Sequence, residues 1–250
     1  MPHRRGGAAR LGIAVRPFLP APSGERQDLL TPAERARLAS ITSLVRLERG
    51  ATLFREGDEA GAIYDVADGI LKTTAIRPDG GRAILGFFFP QDIVGLAENG
   101  RYVSTVQAVT TALLYRLPLP ALERLLRDDS DLDYVFLMKA CDELRNAQFH
   151  KLTLATARAE VRLARFLDMM RGRHPVSARP SPLVELPMPR ADIAEYLGLV
   201  PESVSRAFSR LRRARLIACP TPHLVRILDE ARLRAVAEEE TKLREPSRGS

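Results

Sequence analysis

Residues 190–209, RADIAEYLGLVPESVSRAFS, constrain this chain more than any other segment. Two helices that cross closely need a small residue where they touch and a turn residue that accepts positive φ. Each also needs apolar residues on its inner side. The segment meets these demands together. Ala194 is the small residue, Gly198 the turn, and Ile193, Leu197, Leu199, Val204 and Ala207 the inward set. Pro201 suits the first turn of the second helix. The pattern predicts a helix-turn-helix at about 189–213.

The outward face of the second helix carries Glu202, Ser205, Arg206, Ser209, Arg210 and Arg213. Residues 201–217 hold five arginines and one acid, a local charge of +4. An Arg fork matches guanine O6 and N7, a Glu accepts from cytosine N4, and Ser bonds a base edge or a phosphate. Side chains near the start of such a helix are the ones that reach bases. Glu202, Ser205 and Arg206 are therefore the candidates for base contact. Ser203, Ser209, Arg210, Arg212 and Arg213 are the candidates for phosphate contact. A plain amphipathic helix pair would share the basic face but would not need the small residue and the turn glycine.

The whole chain carries a net charge of +7 over 250 residues, which favours a polyanionic partner without choosing between double-stranded DNA and a membrane. No apolar run approaches the roughly 18 residues that span a bilayer, so no membrane partner is expected. Arg10, Arg16, Pro17 and Pro20 interrupt the N-terminal region, which argues against a secretory signal. The only cysteines are Cys141 and Cys219, too few for a disulfide framework. A cytoplasmic protein is expected.

Upstream, residues 1–28 read as a disordered arm, and Thr31-Pro32-Ala33-Glu34 as a capped helix start over about 31–40. From 44 to 117, short β-rich runs recur between Gly-containing turns: Leu44–Leu47, Thr52–Phe54, Ile63–Val66, Ile70–Ile76, Ala83–Phe89, Val103–Thr110 and Ala112–Leu117. This punctuation predicts a β-sandwich or barrel. A short helix is predicted at about 119–127 and a long one at about 130–157. Within the long helix, Leu137, Cys141, Leu144, Gln148, Lys151 and Ala155 follow a 4-3-4-3-4 spacing, a coiled-coil-like dimer seam. Packing on its own β domain through Val135, Met138, Phe149 and Leu152 is the other reading, and a helix this long can do both. A further helix is expected from Arg158 to about Arg171, and a short strand at Leu183–Leu186. Leu216–Ala218 and Leu224–Leu228 then read as wing strands around a turn at 219–223, and 229–244 as helical. The predicted organisation is α+β: a β domain over 29–128, a dimerisation helix over 129–157, a winged helix-turn-helix over 158–228, and a C-terminal helix and tail over 229–250.

The segment LPMPRADIAEYLGLVPESVSRAFSRLRRARLI closely resembles the DNA-binding end of CRP/FNR-superfamily transcription regulators, in particular the FNR and FixK branch, whose motif is Glu, two residues, then Ser-Arg. The resemblance extends over about 29–228. Gly50, Gly57, Gly69, Gly80/Gly81 and the Asp92–Gly95 turn fall where the family's cyclic-nucleotide-binding-like β-roll turns, and AEVRLARFL at 159–167 matches as well. It implies a homodimer on the long helix, with paired winged helices reading an inverted repeat of TTGA-type half-sites. It also implies an activator that touches RNA polymerase, and no enzyme activity.

Departures concern the input. Cyclic-AMP-binding members carry Gly-Glu and Arg-Ser pairs in the β-roll. Here Ile93 stands at the expected Glu and Tyr102-Val103 at the expected Arg-Ser, with Arg101 one residue off and so on the other side of a strand. The FNR iron–sulfur cluster needs four thiolates, which two cysteines cannot supply. The histidines, His3, His150, His174 and His223, all lie outside the β domain, which argues against both haem and a cupin-like metal enzyme. No metal or cofactor is expected. Cys219 is a candidate redox switch beside the recognition helix, and Cys141 on the seam is expected to be buried. A regulator gated by a small molecule in the β-roll stays open as an alternative.

Overall fold

The computed structural model describes residues 32–77, 80–95, 97–173 and 182–238. The expected N-terminal arm, the Thr31 cap and the end of the C-terminal segment lie outside these residues. Helix α1 (Pro32–Ile41) leads into two antiparallel four-stranded sheets. The first has the order β1-β10-β3-β6, from β1 (Ser43–Leu47), β10 (Ala112–Pro118), β3 (Ala62–Asp68) and β6 (Ile93–Val94). The second has the order β2-β9-β4-β5, from β2 (Thr52–Phe54), β9 (Thr105–Ala108), β4 (Leu71–Ile76) and β5 (Arg82–Phe88). A ribbon of β7 (Ala97–Glu98) and β8 (Arg101–Tyr102) projects between them in sequence.

Leu47, Phe54, Val66, Leu71, Val94, Tyr102, Val106, Ala108, Ala112 and Leu114 fill the space between the sheets. Of the single run expected at Val103–Thr110 only Thr105–Ala108 is strand, β9, and the short β8 lies just before it. The chain bends between them and leaves Val103 exposed. Gly69 makes one tight turn possible: at φ +88° a Cβ there would lie 2.5 Å from the Thr111 carbonyl oxygen.

Strand β5 contains a bulge. Thr73 pairs with Gly86 and Thr74 with Ile84, so Leu85 is the extra residue. Residues three apart on a regular strand face opposite ways. The bulge lets Ile84 and Phe87 join the same buried cluster.

Helix α2 (Leu119–Asp128) is followed at once by the long helix α3 (Ser130–Thr156). Asp129 separates them and caps α3, its carboxylate accepting from the backbone N–H of Asp131 and Leu132. The 27 residues of α3 extend about 40 Å. No helix among the described residues is long and apolar enough to cross a membrane.

Beyond α3 come α4 (Ala159–Gly172), β11 (Leu183–Glu185), α5 (Arg190–Tyr196), α6 (Pro201–Arg213), β12 (Ile217–Thr221), β13 (Leu224–Ile227) and α7 (Glu230–Glu238). The three strands form a sheet of order β11-β13-β12. The wing turn is shorter than expected. Cys219, Pro220 and Thr221 belong to β12, leaving only Pro222 and His223 in the turn. A proline is tolerated there because β12 is an edge strand and its register shifts between Ala218 and Thr221.

The core of this C-terminal part is continuous with the β-roll. Ile84, Phe87, Phe89 and Val109 are buried in the same cluster as Phe166, Ile193, Tyr196, Val204 and Leu211. The Phe87 ring meets Tyr196 edge-on at 5.2 Å and Phe166 at 6.1 Å. Burying one such aromatic contributes about 1.5–3 kcal/mol.

Candidate nucleic-acid interface

Helices α5 and α6 are joined by Leu197, Gly198, Leu199 and Val200. Gly198 has φ +60°, the left-handed conformation that the turn requires. Ile193, Ala194, Leu197, Val204 and Ala207 are buried and Leu199 packs against the same cluster, as the pattern predicted. Phe208 and Leu211 complete the inner face of α6. Phe208 is covered by the Arg190 guanidinium, 3.5 Å above its ring, and Arg190 Nη2 also donates to the Pro222 carbonyl at 3.0 Å. One side chain thus joins the start of α5, the second helix and the wing turn.

On the opposite face of α6, Glu202, Ser205, Arg206, Arg210, Arg212 and Arg213 are exposed, and Ser203 and Ser209 are half-exposed. Glu202, Ser205, Arg206, Ser209 and Arg213 share one stripe, since their spacings are three or four residues. Arg206 Nη2 donates to Ser203 Oγ at 2.9 Å, and Ser205 Oγ donates back to the Pro201 carbonyl at 3.0 Å. Arg210, at the edge of this face, is ion-paired with Glu160 of α4. Burial tends to raise the Glu160 pKa, but the hydrogen bond and charge of Arg210 hold it below the ordinary value.

The end of α6 is a Schellman motif. Leu216 N–H donates to the Leu211 carbonyl and Arg215 N–H to that of Arg212, both at 3.0 Å. Arg215 occupies the left-handed position, φ +57°, usually taken by glycine.

The six residues of the α3 seam, Leu137, Cys141, Leu144, Gln148, Lys151 and Ala155, are all exposed on the single chain; Leu137 and Leu144 expose 59% and 60% of their surface. Cys141 is therefore not buried within its own chain. Val135 is buried and Met138 and Phe149 half-buried, whereas Leu152, expected on the same face, is exposed; the Phe149 ring lies under the Arg165 guanidinium of α4 at 5.0 Å.

Two models of known families match the chain: a Crp-like helix-turn-helix domain over residues 161–236 and a cyclic nucleotide-binding domain over 44–129. The transcriptional activatory protein AadR of Rhodopseudomonas palustris is 35% identical, covering 83% of this chain and 87% of its own. The nitrogen fixation regulation protein FixK of Bradyrhizobium diazoefficiens is 32% identical with the same coverage. The structure of FixK2 from Bradyrhizobium japonicum superposes with a TM-score of 0.72 at 26% identity, covering 78% of this chain and 97% of that one. The chain belongs to the CRP/FNR family of transcription regulators.

In this CRP/FNR protein the β-roll residues flagged in the sequence have other occupations. Asp92 is buried, accepts from Phe89 N–H, and takes Arg173 Nη1 at 2.9 Å on both oxygens. Ile93 is half-buried in β6. Arg101 is exposed and donates to the Gly57 carbonyl at 2.7 Å. Tyr102, on the other side of the strand, is buried and stacks on Phe54 with centroids 3.7 Å apart. Its hydroxyl donates to the Ala62 carbonyl, and burial pushes its pKa up to about 12.

Cys219 is half-buried on β12 and packs on the helix-turn-helix cluster, rather than standing in the turn. His150 stacks on Tyr196 at 4.2 Å, linking α3 to α5, and burial lowers its pKa. His223 Nδ1 lies 3.0 Å from the Leu186 carbonyl.

Several connections had no local signal. Lys72 Nζ of β4 lies 2.6 Å from Asp192 Oδ2 of α5, and the two are 120 positions apart. Together with Asp92–Arg173 and Phe87–Tyr196, this pair docks the helix-turn-helix on the β-roll.

Proposed function

We propose that this protein is a homodimeric transcription activator whose two α6 helices read an inverted repeat of TTGA-type half-sites, as the Glu-x-x-Ser-Arg motif implies. The observation that carries the reading is the segregation of α6. Val204, Ala207, Phe208 and Leu211 are buried on one side, and Glu202, Ser205 and Arg206 stand exposed on the other. Those three residues contact base edges. Ser203, Ser209, Arg210, Arg212 and Arg213 contact phosphates. Arg210 does so by exchanging its Glu160 partner for a phosphate oxygen, a charge-assisted bond of the same kind.

The exposed α3 seam supports the homodimer, because two large leucines on one stripe have no cover within the chain. Dimer symmetry then places half-sites about one helical turn apart. Activation proceeds through contact with RNA polymerase. The β-roll works without cyclic AMP: the interior next to Asp92–Gly95 is filled by Tyr102 and Phe54, and an arginine for the phosphate is replaced by the outward Arg101.

The test is selection of bound sequences from a random DNA pool by the purified protein. A symmetric consensus containing TTGA in each half is expected. Absence of any enriched consensus refutes sequence-specific recognition, and an asymmetric single half-site refutes the dimer.

A further inference from the structure

We infer that Arg162 is the positioning residue that fixes the angle between the long helix α3 and the recognition helix α6, and so sets the half-site spacing the protein accepts. The inference rests on the dimeric reading above.

Its guanidinium joins the ends of two helices. Nη2 donates to the Leu154 carbonyl at 2.8 Å and Nε to the Ala157 carbonyl at 2.7 Å, both at the C-terminal end of α3. Nη1 donates to the Leu197 carbonyl at 2.9 Å, at the C-cap of α5, and reaches toward the Gly198 carbonyl at 3.4 Å. The last carbonyls of a helix have no partner within it. Here one cation satisfies carbonyls from both helices and lies at the negative end of both dipoles.

The geometry needs arginine. Its donors form a rigid planar fork, so the carbonyls it binds are held at fixed angles to one another. A lysine could satisfy one set of carbonyls but could not hold both helices in register.

The position of this clamp matters because the link it spans is short and extended. Only Ala157 and Arg158 separate α3 from α4, with ψ of 143° and 162°. A two-residue extended link permits rotation by small dihedral changes, and such links are where rigid bodies swing. Arg162 belongs to the first turns of α4, the element that carries α5 and α6 with it, and holds the far side of the link. The helix-turn-helix turn lies directly on the clamp: a Cβ on Gly198 would stand 3.5 Å from Arg162 Nη1 and 3.5 Å from Leu154 Cδ2. The His150–Tyr196 stack is a second contact between α3 and α5, and the Lys72–Asp192, Asp92–Arg173 and Phe87–Tyr196 contacts hold the unit on the β-roll, so loss of Arg162 loosens the angle without detaching the unit.

In a dimer, an error in this angle is applied twice, with opposite sense, at the two recognition helices. Contacts within one half-site do not depend on it, whereas the distance between half-sites does. Arg162→Met and Arg162→Lys are therefore measured against inverted repeats with the selected spacing, against repeats lengthened or shortened by one and two base pairs, and against a duplex with one half-site. Circular dichroism checks folding of both variants. The wild type is expected to prefer one spacing. Both variants are expected to lose about tenfold in affinity at that spacing, roughly the worth of one charge-assisted hydrogen bond, and to bind the altered spacings more evenly. Half-site affinity is expected to stay within about threefold, since no base contact is touched.

A spacing profile of unchanged shape in Arg162→Lys overturns the inference. So does an equal loss on every duplex including the half-site, which makes Arg162 a folding residue only. A wild type with no spacing preference refutes the dimeric reading itself and the inference with it, and is distinguished by being seen before any substitution is made.

Discussion

Replacing Asp192 by alanine tests the docking of the helix-turn-helix on the β-roll. Lys72 Nζ and Asp192 Oδ2 are 2.6 Å apart, and their side chains keep only 12% and 15% of their exposure. At an effective dielectric of about 20, unit charges at that distance attract by about 6 kcal/mol. Removing two ions from water costs several kcal/mol each, so the intact pair contributes little net stability. Removing one partner is different, because the other ion stays buried and unpaired. Full burial makes that cost about 3–5 kcal/mol. The residual exposure lets the Lys72 ammonium turn toward water, which reduces it to about 2–3 kcal/mol. Asp192→Ala and Lys72→Met should each destabilise by that amount in urea unfolding followed by circular dichroism. The double variant Lys72→Met/Asp192→Leu should lie within about 1 kcal/mol of wild type, a coupling of about 3 kcal/mol or more. Single costs below about 0.5 kcal/mol, or single costs that add in the double variant, would mean that the pair does not form and that the docked arrangement is wrong.

Arg206→Ala should lower affinity for the selected DNA site by about 1–3 kcal/mol, or roughly 5- to 150-fold, with little effect on non-specific DNA; intact sequence-specific binding would refute the base-contact assignment. Arg215→Gly should stabilise the fold by about 0.5–1 kcal/mol, because glycine accepts φ +57° without the Cβ clash; a destabilised variant would show that the arginine side chain supports the turn. Burial lowers the His150 pKa, so the unfolded chain takes up the proton first as pH falls. Its contribution is present above about pH 6.5 and is lost as pH drops through the lowered value. The Tm of wild type should therefore fall more than that of His150→Phe between about pH 7 and pH 5, and parallel curves would refute this. Peroxide oxidation of Cys219 would place a polar group against the helix-turn-helix cluster and should weaken DNA binding in wild type but not in Cys219→Ala; equal affinity with the oxidised thiol verified by mass would exclude the switch.

Features governed by local physics were legible in the sequence, and those governed by distant contacts were not. The inward residues of α5 and α6 were legible because a helix pair demands a small residue, a turn glycine and apolar positions at fixed offsets. The extent of α3 was legible from continuous helical texture. The wing turn was misplaced because proline and cysteine looked like turn residues, whereas β12 is an edge strand and accepts Pro220. Tyr102 was legible as a departure from a cyclic-nucleotide site. Its stacking on Phe54 was not, because the two residues meet only when the sheets close.

The sequence by itself therefore determined the helix-turn-helix, its basic outward face, the β-roll and the long helix with its apolar stripe. Each of these follows from periodicity, turn chemistry and residue type within a few tens of residues. The tertiary structure alone decided how the helix-turn-helix is held. The Lys72–Asp192 pair, the Asp92–Arg173 fork, the Phe87–Tyr196 contact and the Arg162 clamp join elements 35 to 120 residues apart. No local pattern encodes such pairs, since each side chain is unremarkable in its own helix or strand. Their partners are chosen only when the hydrophobic faces close and leave charged groups and helix-end carbonyls to be satisfied across the junction.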